Sequence, residues 1–299
     1  MIEKISKEVA NAKAEYLGLP AGPLSYTQIE TFSKCQRLYY LKYIAKLPQK
    51  YSLVMNMGSA MHTGLEVLHK GIIADSTERT AGTIARHLEV ALHALRSQVG
   101  TILKEPSLDP AGLPVIEKQG KCLEELLKLW SREYVPEMDI VEAESKFFVL
   151  IEGVPVNIRI DLMRRTRISD FKVSKKDKTD KDVKNSLQLG IYSIGAELDE
   201  VSFITLKYPV PEKLHKWEPV ITEVSGEKTG ADKDWARVIV GSIAKTLATK
   251  PDTRAEYFPP CNPSDWACSP EYCDLYDLCR GAARKAIVMP SWLDKVRVK

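Results

Sequence analysis

The chain has 299 residues, which is enough for one large domain or two small ones. Hydrophobic residues make up 44% and charged residues 28%, as in an ordinary soluble globular protein. No apolar run approaches the roughly 20 residues needed to span a bilayer, which excludes a helical membrane protein. The net charge of +3 is too small to indicate a nucleic-acid binder by itself, so local motifs must identify the partner.

The first half of the chain is predicted to be mostly helical. Residues 1–23 form a charged lead-in without the apolar core of a signal peptide, so we expect the protein in the cytoplasm of a bacterial, archaeal or phage-infected cell. Ser25 or Thr27 is predicted to cap the next helix, with Glu30 reaching back across its first turn. Apolar residues at helical spacing predict further helices over 58–70, 81–98 and 115–134.

The pattern changes near residue 140. Residues 140–165 indicate two strands around a connection at Gly153–Pro155, and 167–173 indicate a third. A helix over 186–198, a strand over 200–210 and a helix over 231–249 follow. We therefore expect an α/β fold with a small mixed sheet flanked by helices. It would form one domain, with a mainly helical part (24–135), a catalytic core (136–250) and a cysteine-rich tail (251–299).

Three residues carry the chemistry of the predicted core. Asp161 ends one predicted strand, and Asp170 and Lys172 project from one face of the next, because side chains alternate along a strand. Two nearby carboxylates repel each other unless a cation joins them, and Mg²⁺ or Mn²⁺ prefers such oxygen ligands. The metal would polarise a scissile phosphate and acidify a bound water, while Lys172 would orient that water or stabilise charge on phosphate oxygens.

An Asp-x-Lys tripeptide alone is usually structural or solvent-exposed, so its weight comes from its surroundings. Other motifs accompany it in a fixed order. They are Leu24–Ile29 with Phe32, Cys35, Tyr39 and Tyr43; Gly58–His62; Ile160-Asp161; Ser169–Lys172; and Gln188–Tyr192. Together they resemble the RecB-type branch of the PD-(D/E)xK nuclease superfamily, over residues 24–279.

The resemblance implies a role for each matching residue. His62, Asp161 and Asp170 match the family's metal ligands, and Lys172 matches its catalytic lysine. Gln188 and Tyr192 match a helix motif that supports the active site and contacts DNA. Either Glu142 or Glu144 corresponds to an acidic residue on the preceding strand. Because imidazole binds Mn²⁺ better than Mg²⁺, we expect activity with Mn²⁺ to be at least as good as with Mg²⁺.

Two positions depart from the family pattern. Ile158 stands where the family usually has Gly, three residues before the first Asp, and Phe171 replaces a common Tyr. The first change would alter strand packing or the approach of DNA. Neither removes a catalytic group, so activity is still expected.

Four of the six cysteines lie within residues 261–279, and such clustering without a secretory signal suggests metal binding. The split of Cys35 from Cys268, Cys273 and Cys279 resembles the iron–sulfur nucleases of the same branch, which include CRISPR-adaptation and phage exonucleases. The resemblance implies a [4Fe-4S] cluster on these four thiolates. Zinc is the main chemical alternative, and Cys261 is a competing ligand.

A basic stretch runs from Arg164 to Lys184, with nine Lys or Arg and four Asp residues. It is either a solvated lysine-rich loop, which charge alone favours, or a surface that pairs with phosphates.

The expected activity is hydrolysis of DNA phosphodiesters in recombination, repair or phage DNA processing. The resemblance favours an exonuclease acting on single strands or ends. The alternatives are a structure- or site-specific endonuclease and a non-catalytic DNA-binding subunit of a recombination complex. The chain lacks the phosphate loop of an ATPase, so a helicase or recombinase would have to act as a separate partner.

Overall fold

The computed structural model describes residues 2–75, 80–250, 254–262, 264–265, 268–270 and 272–280. In this part of the chain no helix is long and apolar enough to cross a membrane. The predicted tail over 251–299 is therefore covered only in part, and its last nineteen residues, 281–299, lie outside the description.

The chain forms a mixed sheet flanked by helices, which confirms the predicted α/β fold class. The helices are α1 (Lys7–Tyr16), α2 (Tyr26–Lys34), α3 (Gln36–Tyr39), α4 (Leu53–Ala74), α5 (Ala81–Ile102), α6 (Leu113–Glu133), α7 (Asp180–Lys184), α8 (Leu187–Ala196), α9 (Gly230–Ala248) and α10 (Tyr276–Arg280). The strands are β1 (Glu3–Ile5), β2 (Leu24–Ser25), β3 (Ile140–Ile151), β4 (Val154–Arg164), β5 (Arg167–Ser174), β6 (Glu200–Lys207) and β7 (Ile221–Glu227).

The chain divides into two compact units. The first unit comprises Ser52–Phe147 and Ile158–Ala236, with the first two residues of the chain. The second unit comprises Glu3–Tyr51, Phe148–Asn157 and Arg237–Lys299.

In the first unit, α4, α5 and α6 pack against each other through apolar faces with helical periodicity. Leu68, Leu92 and Leu126 are fully or almost fully buried in this bundle. Gly64 of α4 lies where the three helices approach one another, because a Cβ there would lie 3.1 Å from Leu127 of α6 and 3.4 Å from Leu95 of α5. A small residue is therefore needed where the three helices meet.

The strands of the first unit follow the order β3-β4-β5-β6-β7. β4 and β5 are antiparallel, whereas β5 and β6 are parallel and are connected through α7 and α8. Eight consecutive residues of α8, Gln188–Gly195, are buried, as expected for a crossover helix packed on a sheet. The sheet is thus mixed, and the strand that carries Asp170 and Lys172 lies at its centre.

In the second unit, β3 pairs with β1 and β4 pairs with β2. The β3–β4 hairpin turns at Glu152-Gly153, with φ of 50° and 73°, one residue earlier than the connection predicted at Gly153–Pro155. β1, β2 and β7 were not predicted from the sequence, because two are very short and ITEVSGE contains few apolar residues. Likewise, α7 lies within the stretch predicted to be a lysine-rich loop.

The cap of α2 is Ser25, one of the two predicted caps, but the residue that reaches back is not the predicted one. The Ser25 side chain accepts a hydrogen bond from the Gln28 backbone N–H, and the Gln28 side chain accepts one from the Ser25 N–H. The prediction that Glu30 fills this place is wrong, because the third helical position is Gln28. Glu30 instead accepts from Lys34 at 2.9 Å, one turn further along the helix.

Candidate active site

Asp170 and Lys172 share one face of β5, as the alternation of side chains along a strand predicts. Asp170 is only 2% exposed, whereas Lys172 is partly exposed. The Lys172 Nζ lies 2.6 Å from Asp170 Oδ2. The buried carboxylate is therefore paired with an ammonium group from its own strand.

The side chain of Gln188, in the first turn of α8, joins these two groups. Its Nε2 donates to Asp170 Oδ1 at 2.5 Å, and its Oε1 accepts from Lys172 Nζ at 3.0 Å. The Nε2 also donates to the Tyr192 hydroxyl at 3.0 Å, one helical turn further on. Because residues four apart share a helix face, the Gln188–Tyr192 pair approaches the carboxylate and the lysine from one side.

Asp161 lies on β4, beside the strand that carries Asp170. Its Oδ2 accepts a hydrogen bond from the backbone N–H of Phe171 at 2.8 Å. Burial and the negative charge of Asp170 raise the pKa of Asp161 to about 7. The two carboxyl groups are thus held close enough to repel each other, which is the arrangement that a cation relieves.

His62, on α4, faces Asp161. Its Nδ1 lies 3.6 Å from Asp161 Oδ2 and 3.8 Å from Glu144 Oε1. Burial alone would lower the pKa of His62, but Glu144 and the charges of Asp161 and Asp170 outweigh that effect and raise it. The histidine of the Gly58–His62 motif is therefore placed among carboxylates.

The structure distinguishes between the two glutamates that the sequence left open. Glu144 is 6% exposed and faces His62, whereas Glu142 is exposed and accepts a hydrogen bond from the Ser145 hydroxyl. Arg159 donates to the second carboxylate oxygen of Glu144. Burial alone would raise the pKa of Glu144, but His62 and Arg159 outweigh burial and hold it below its usual value.

The side chains of His62, Glu144 and Asp161 fit a divalent cation. Each offers one ligand atom, and these atoms lie within 4.8 Å of one another. One imidazole nitrogen and two carboxylate oxygens, two of the three side chains being largely buried, form a donor set suited to Mn²⁺ or Mg²⁺. Asp170 is the third ligand predicted from the sequence. It lies beside this set but forms an ion pair with Lys172 and accepts a hydrogen bond from Gln188.

A buried aromatic cluster lies behind β5, and sequence reasoning did not identify it. The His69 ring stacks on Phe171 with 5.8 Å between centroids, and Trp130 meets the same Phe171 edge-on at 5.1 Å. Phe171 lies between Asp170 and Lys172, and its backbone N–H donates a hydrogen bond to Asp161. This cluster therefore fixes the backbone that carries the site. Apolar spacing in α6 placed Trp130 on the predicted core face of its helix, but no sequence pattern marked His69.

The predicted cysteine site lies in the second unit. One cavity of about 320 Å³ is lined by five thiols, those of Cys35, Cys261, Cys268, Cys273 and Cys279. The set predicted from sequence is therefore brought together, and the competitor Cys261 is brought there with it. Cys122, whose place on an amphipathic helix predicts a buried structural residue, is only partly buried on α6.

The sulfur of Cys35 has two hydrogen-bond donors directed at it. Its Sγ accepts hydrogen bonds from the backbone N–H groups of Leu38 and Cys261, both at 3.4 Å. Burial, with Cys35 and Cys268 as neighbours, raises the pKa of Cys261 to about 12. A group of thiols sharing one cavity, with N–H donors directed at sulfur, fits a metal or iron–sulfur centre.

The segment after Arg254 is attached to α3 by defined contacts within this unit. The Phe258 ring stacks on Tyr39, with centroids 6.4 Å apart, and Arg37 Nε donates to the Phe258 carbonyl at 2.7 Å. The Arg37 N–H donates to the Pro259 carbonyl at 3.1 Å. These contacts bring the late cysteines to Cys35.

A family model described as the PD-(D/E)XK nuclease superfamily matches residues 23–280. The chain belongs to this superfamily. The match covers both the carboxylate–lysine site and the cysteine cavity. Members of the superfamily usually use divalent metal ions, and the nuclease fold implies DNA as the substrate.

One solved structure resembles this chain at low sequence identity. A solved structure from Eubacterium rectale, described as a “Putative exonuclease”, shares 13% sequence identity, with a TM-score of 0.47. That alignment covers 89% of this chain and 92% of the other. No curated protein matches the sequence.

Ile158, which stands where the family usually has Gly, packs against a glycine of the facing helix. Ile158 is fully buried on β4 and packs against Gly195 of α8, where a Cβ would collide with the Ile158 side chain. This member of the PD-(D/E)XK superfamily therefore places the large residue on the strand and the small one on the facing helix.

Proposed function

We propose that this protein is a metal-dependent deoxyribonuclease that hydrolyses phosphodiester bonds, acting as an exonuclease on single-stranded DNA or DNA ends. One observation carries the nuclease proposal. The His62–Glu144–Asp161 donor set lies beside a lysine that is held by both Asp170 and Gln188.

His62, Asp161 and Asp170 would hold the metal, with Glu144 as a further ligand. When bound, Mg²⁺ or Mn²⁺ supplies positive charge to the scissile phosphate and acidifies a water molecule. Lys172 would donate to the phosphate oxygens as negative charge develops on them. Gln188 would keep the Lys172 ammonium in place, and Tyr192 would in turn support Gln188; both are mostly buried, at 8% and 7% exposure.

The test compares wild type with Asp170→Ala and Lys172→Ala on end-labelled single-stranded DNA, with Mn²⁺ or Mg²⁺. We expect each variant to lose at least about a hundredfold in cleavage rate, as when a charge-stabilising group is removed. Asp139→Ala and Lys121→Ala are the matched controls, because both side chains are exposed and lie outside the site. Cleavage by both site variants at the wild-type rate would refute the assignment of Asp170 and Lys172, whereas absence of cleavage by the wild type would favour a non-catalytic DNA-binding subunit.

The resemblance to exonucleases of the RecB-type branch supports the exonuclease mode. On the same ground we propose a role in DNA repair, recombination or phage DNA processing. Covalently closed circular single-stranded DNA separates it from the endonuclease alternative. An exonuclease degrades only the linear form. Equal cleavage of both forms would show an endonuclease and leave the catalytic assignment intact.

We further propose a [4Fe-4S] cluster held by Cys35, Cys268, Cys273 and Cys279. The shared cavity and the two N–H groups directed at Cys35 Sγ support it. Purified protein would contain about four irons and four sulfides per chain, as the cluster formula requires. Stoichiometric zinc without iron would identify the alternative.

Single Cys→Ser variants would define the ligands by iron content and Mössbauer spectra. Serine at a ligand position should lower cluster content, whereas Cys122→Ser, on α6 of the first unit, is the control. Loss of cluster in Cys261→Ser but not in Cys279→Ser would replace Cys279 by Cys261 in the ligand set.

A further inference from the structure

The basic stretch of the sequence forms one wall of a groove in the first unit. The groove, of about 520 Å³, is lined by Val173 and Ser174 of β5, the loop Lys175–Lys178, Asp182 of α7, Val54 of α4 and Tyr208. We call it the lysine groove. Its volume is within the range of about 300–1,000 Å³ found for pockets that enclose whole small ligands, so it has room for a stretch of nucleotide size.

The charge of the lysine groove is positive despite its two acidic residues. Asp177 is paired with Lys207 and also accepts from the Thr222 hydroxyl at 3.1 Å. Asp182 accepts from the N–H and hydroxyl of Thr179, both at 2.8 Å, as part of the cap of α7. Both carboxylates therefore have partners of their own.

Lys175 and Lys176 are exposed, and neither has an ion-pair partner among the described residues. Lys178 is partly buried, with its Nζ 5.6 Å from the centroid of the Phe203 ring. Three ammonium groups are thus presented by four consecutive residues. Lysine binds phosphate as a point charge, and such a row suits a chain of phosphates.

Tyr208 provides a second, independent observation. It lines the lysine groove and is only 4% exposed, yet its hydroxyl has no hydrogen-bond partner in the part of the chain that the structure describes. A buried hydroxyl without a partner costs free energy that a ligand oxygen would recover. Burial raises the pKa of Tyr208 to about 12, so the hydroxyl remains a donor at neutral pH.

The lysine groove begins where the candidate active site ends. Val173 directly follows Lys172, and the Lys172 Nζ lies 5.4 Å from the same Phe203 ring that Lys178 contacts. The Lys178 backbone N–H donates to Thr205 Oγ1 at 3.4 Å, and Thr205 is the β6 partner of Lys172. The lysine loop is therefore held at the level of the catalytic strand residues.

The geometry points to the lysine groove as a binding site for the phosphodiester backbone of the single DNA strand that is cut. Lys175, Lys176 and Lys178 contact successive phosphates, and the Tyr208 hydroxyl donates to a phosphate oxygen. The inference rests on the proposed function and adds to it the path of the substrate next to Lys172.

The test measures binding of a fluorescein-labelled oligothymidylate by anisotropy in EDTA, over a series of salt concentrations. We expect the negative slope of log binding constant against log salt concentration to become shallower by about 1.4 in the Lys175→Ala/Lys176→Ala variant. Each phosphate contact to a single strand contributes about 0.7 to the magnitude of this slope. Lys104→Ala/Lys121→Ala is the control, since it removes the same charge from exposed positions outside the lysine groove. Tyr208→Phe should weaken binding about fivefold, the effect of one hydrogen bond.

With Mn²⁺ present, KM for the double lysine variant should rise at least about tenfold, while kcat stays within about twofold, because uniform binding has been removed. If the double lysine variant cleaves DNA with an unchanged salt slope and an unchanged KM, the lysine groove does not bind DNA. The nuclease proposal is unaffected by that result. If even the wild type cleaves no DNA, the nuclease proposal fails, and the anisotropy series still decides the lysine groove by itself.

Discussion

The indole N–H of Trp130 donates a hydrogen bond to Nε2 of His69 at 2.8 Å, and both side chains are almost inaccessible, at 0% and 1% exposure. Because an N–H donates to it, Nε2 of His69 acts as an acceptor. The bond links α6 to α4 behind the Phe171 backbone that holds Asp161. It therefore connects the helical bundle to the candidate active site.

Removing this donor should destabilise the protein. Trp130→Phe keeps an aromatic ring but leaves a buried acceptor without its donor, so we expect a loss of about 1–3 kcal/mol in unfolding free energy. Urea denaturation measures it. Trp235→Phe is the matched control, because Trp235 is 47% exposed and its replacement should change stability by less than about 0.5 kcal/mol. Equal stability of the two variants would contradict the prediction.

We expect Gln188 to support catalysis by positioning Lys172 and Asp170, without touching the substrate itself. Gln188→Ala removes the acceptor for Lys172 and the donor to Asp170, so kcat should fall by about 10- to 100-fold, as with other supporting residues. Steady-state kinetics on single-stranded DNA checks this. Gln98→Ala, at an exposed position of α5, should keep wild-type kcat. A wild-type kcat in Gln188→Ala would show that Lys172 needs no such support.

The two glutamates of β3 provide a matched pair for metal binding. Glu144→Gln should weaken Mn²⁺ binding by at least about tenfold, because one buried carboxylate of the donor set is lost. Glu142→Gln, two residues away and exposed, should bind as wild type. Calorimetric titration with Mn²⁺ reads out binding without cleavage. The same affinity in both variants would exclude Glu144 as a ligand.

An ion-pair network in the first unit predicts a pH dependence of stability. Arg164 donates to Glu223, and Arg167 Nη1 lies 3.3 Å from the same carboxylate. Burial alone would raise the pKa of Glu223, but the hydrogen bond and charge of Arg164 outweigh it, so the pKa is lowered from 4.5. The unfolded state therefore binds the proton first, and the stabilisation is lost as pH falls below about 4.5.

For Glu223→Gln we expect a loss of about 3 kcal/mol at neutral pH, because Arg164 is left largely buried without its anion. The variant should also show a shallower fall in unfolding free energy below about pH 4.5. Guanidinium titrations at several pH values measure both effects. Glu117→Gln, exposed on α6, should follow the wild-type curve, and identical curves for all three proteins would refute the prediction.

Much of the fold could be predicted because it follows local periodicity, whereas the roles of the site residues were predicted from the resemblance of their motifs to a nuclease family. The alternation along β5 predicts that Asp170 and Lys172 share a face, and the i, i+4 spacing predicts the same of Gln188 and Tyr192. What joins these elements depends on tertiary packing. The bond from Phe171 N–H to Asp161 and the Trp130–His69 contact link residues that no local pattern relates.

Glu142 and Glu144 show this limit most clearly. A strand period of two puts both on one face, so the sequence could not distinguish them. In the structure, Glu144 has φ of 53°, and Ala143, Glu144 and Ser145 are all buried in succession. This single left-handed residue breaks the alternation and directs its carboxylate toward His62.

That backbone conformation has a consequence for anyone who engineers the protein. A non-glycine residue in the left-handed region costs about 1–2 kcal/mol, which glycine at position 144 would avoid. Glu144→Gly would relieve that strain, but it would also remove the ion pair with Arg159 and one donor of the candidate metal site. Relief of strain could thus mask loss of the carboxylate in a selection for thermal stability alone, so directed evolution of this protein must screen for cleavage at every round.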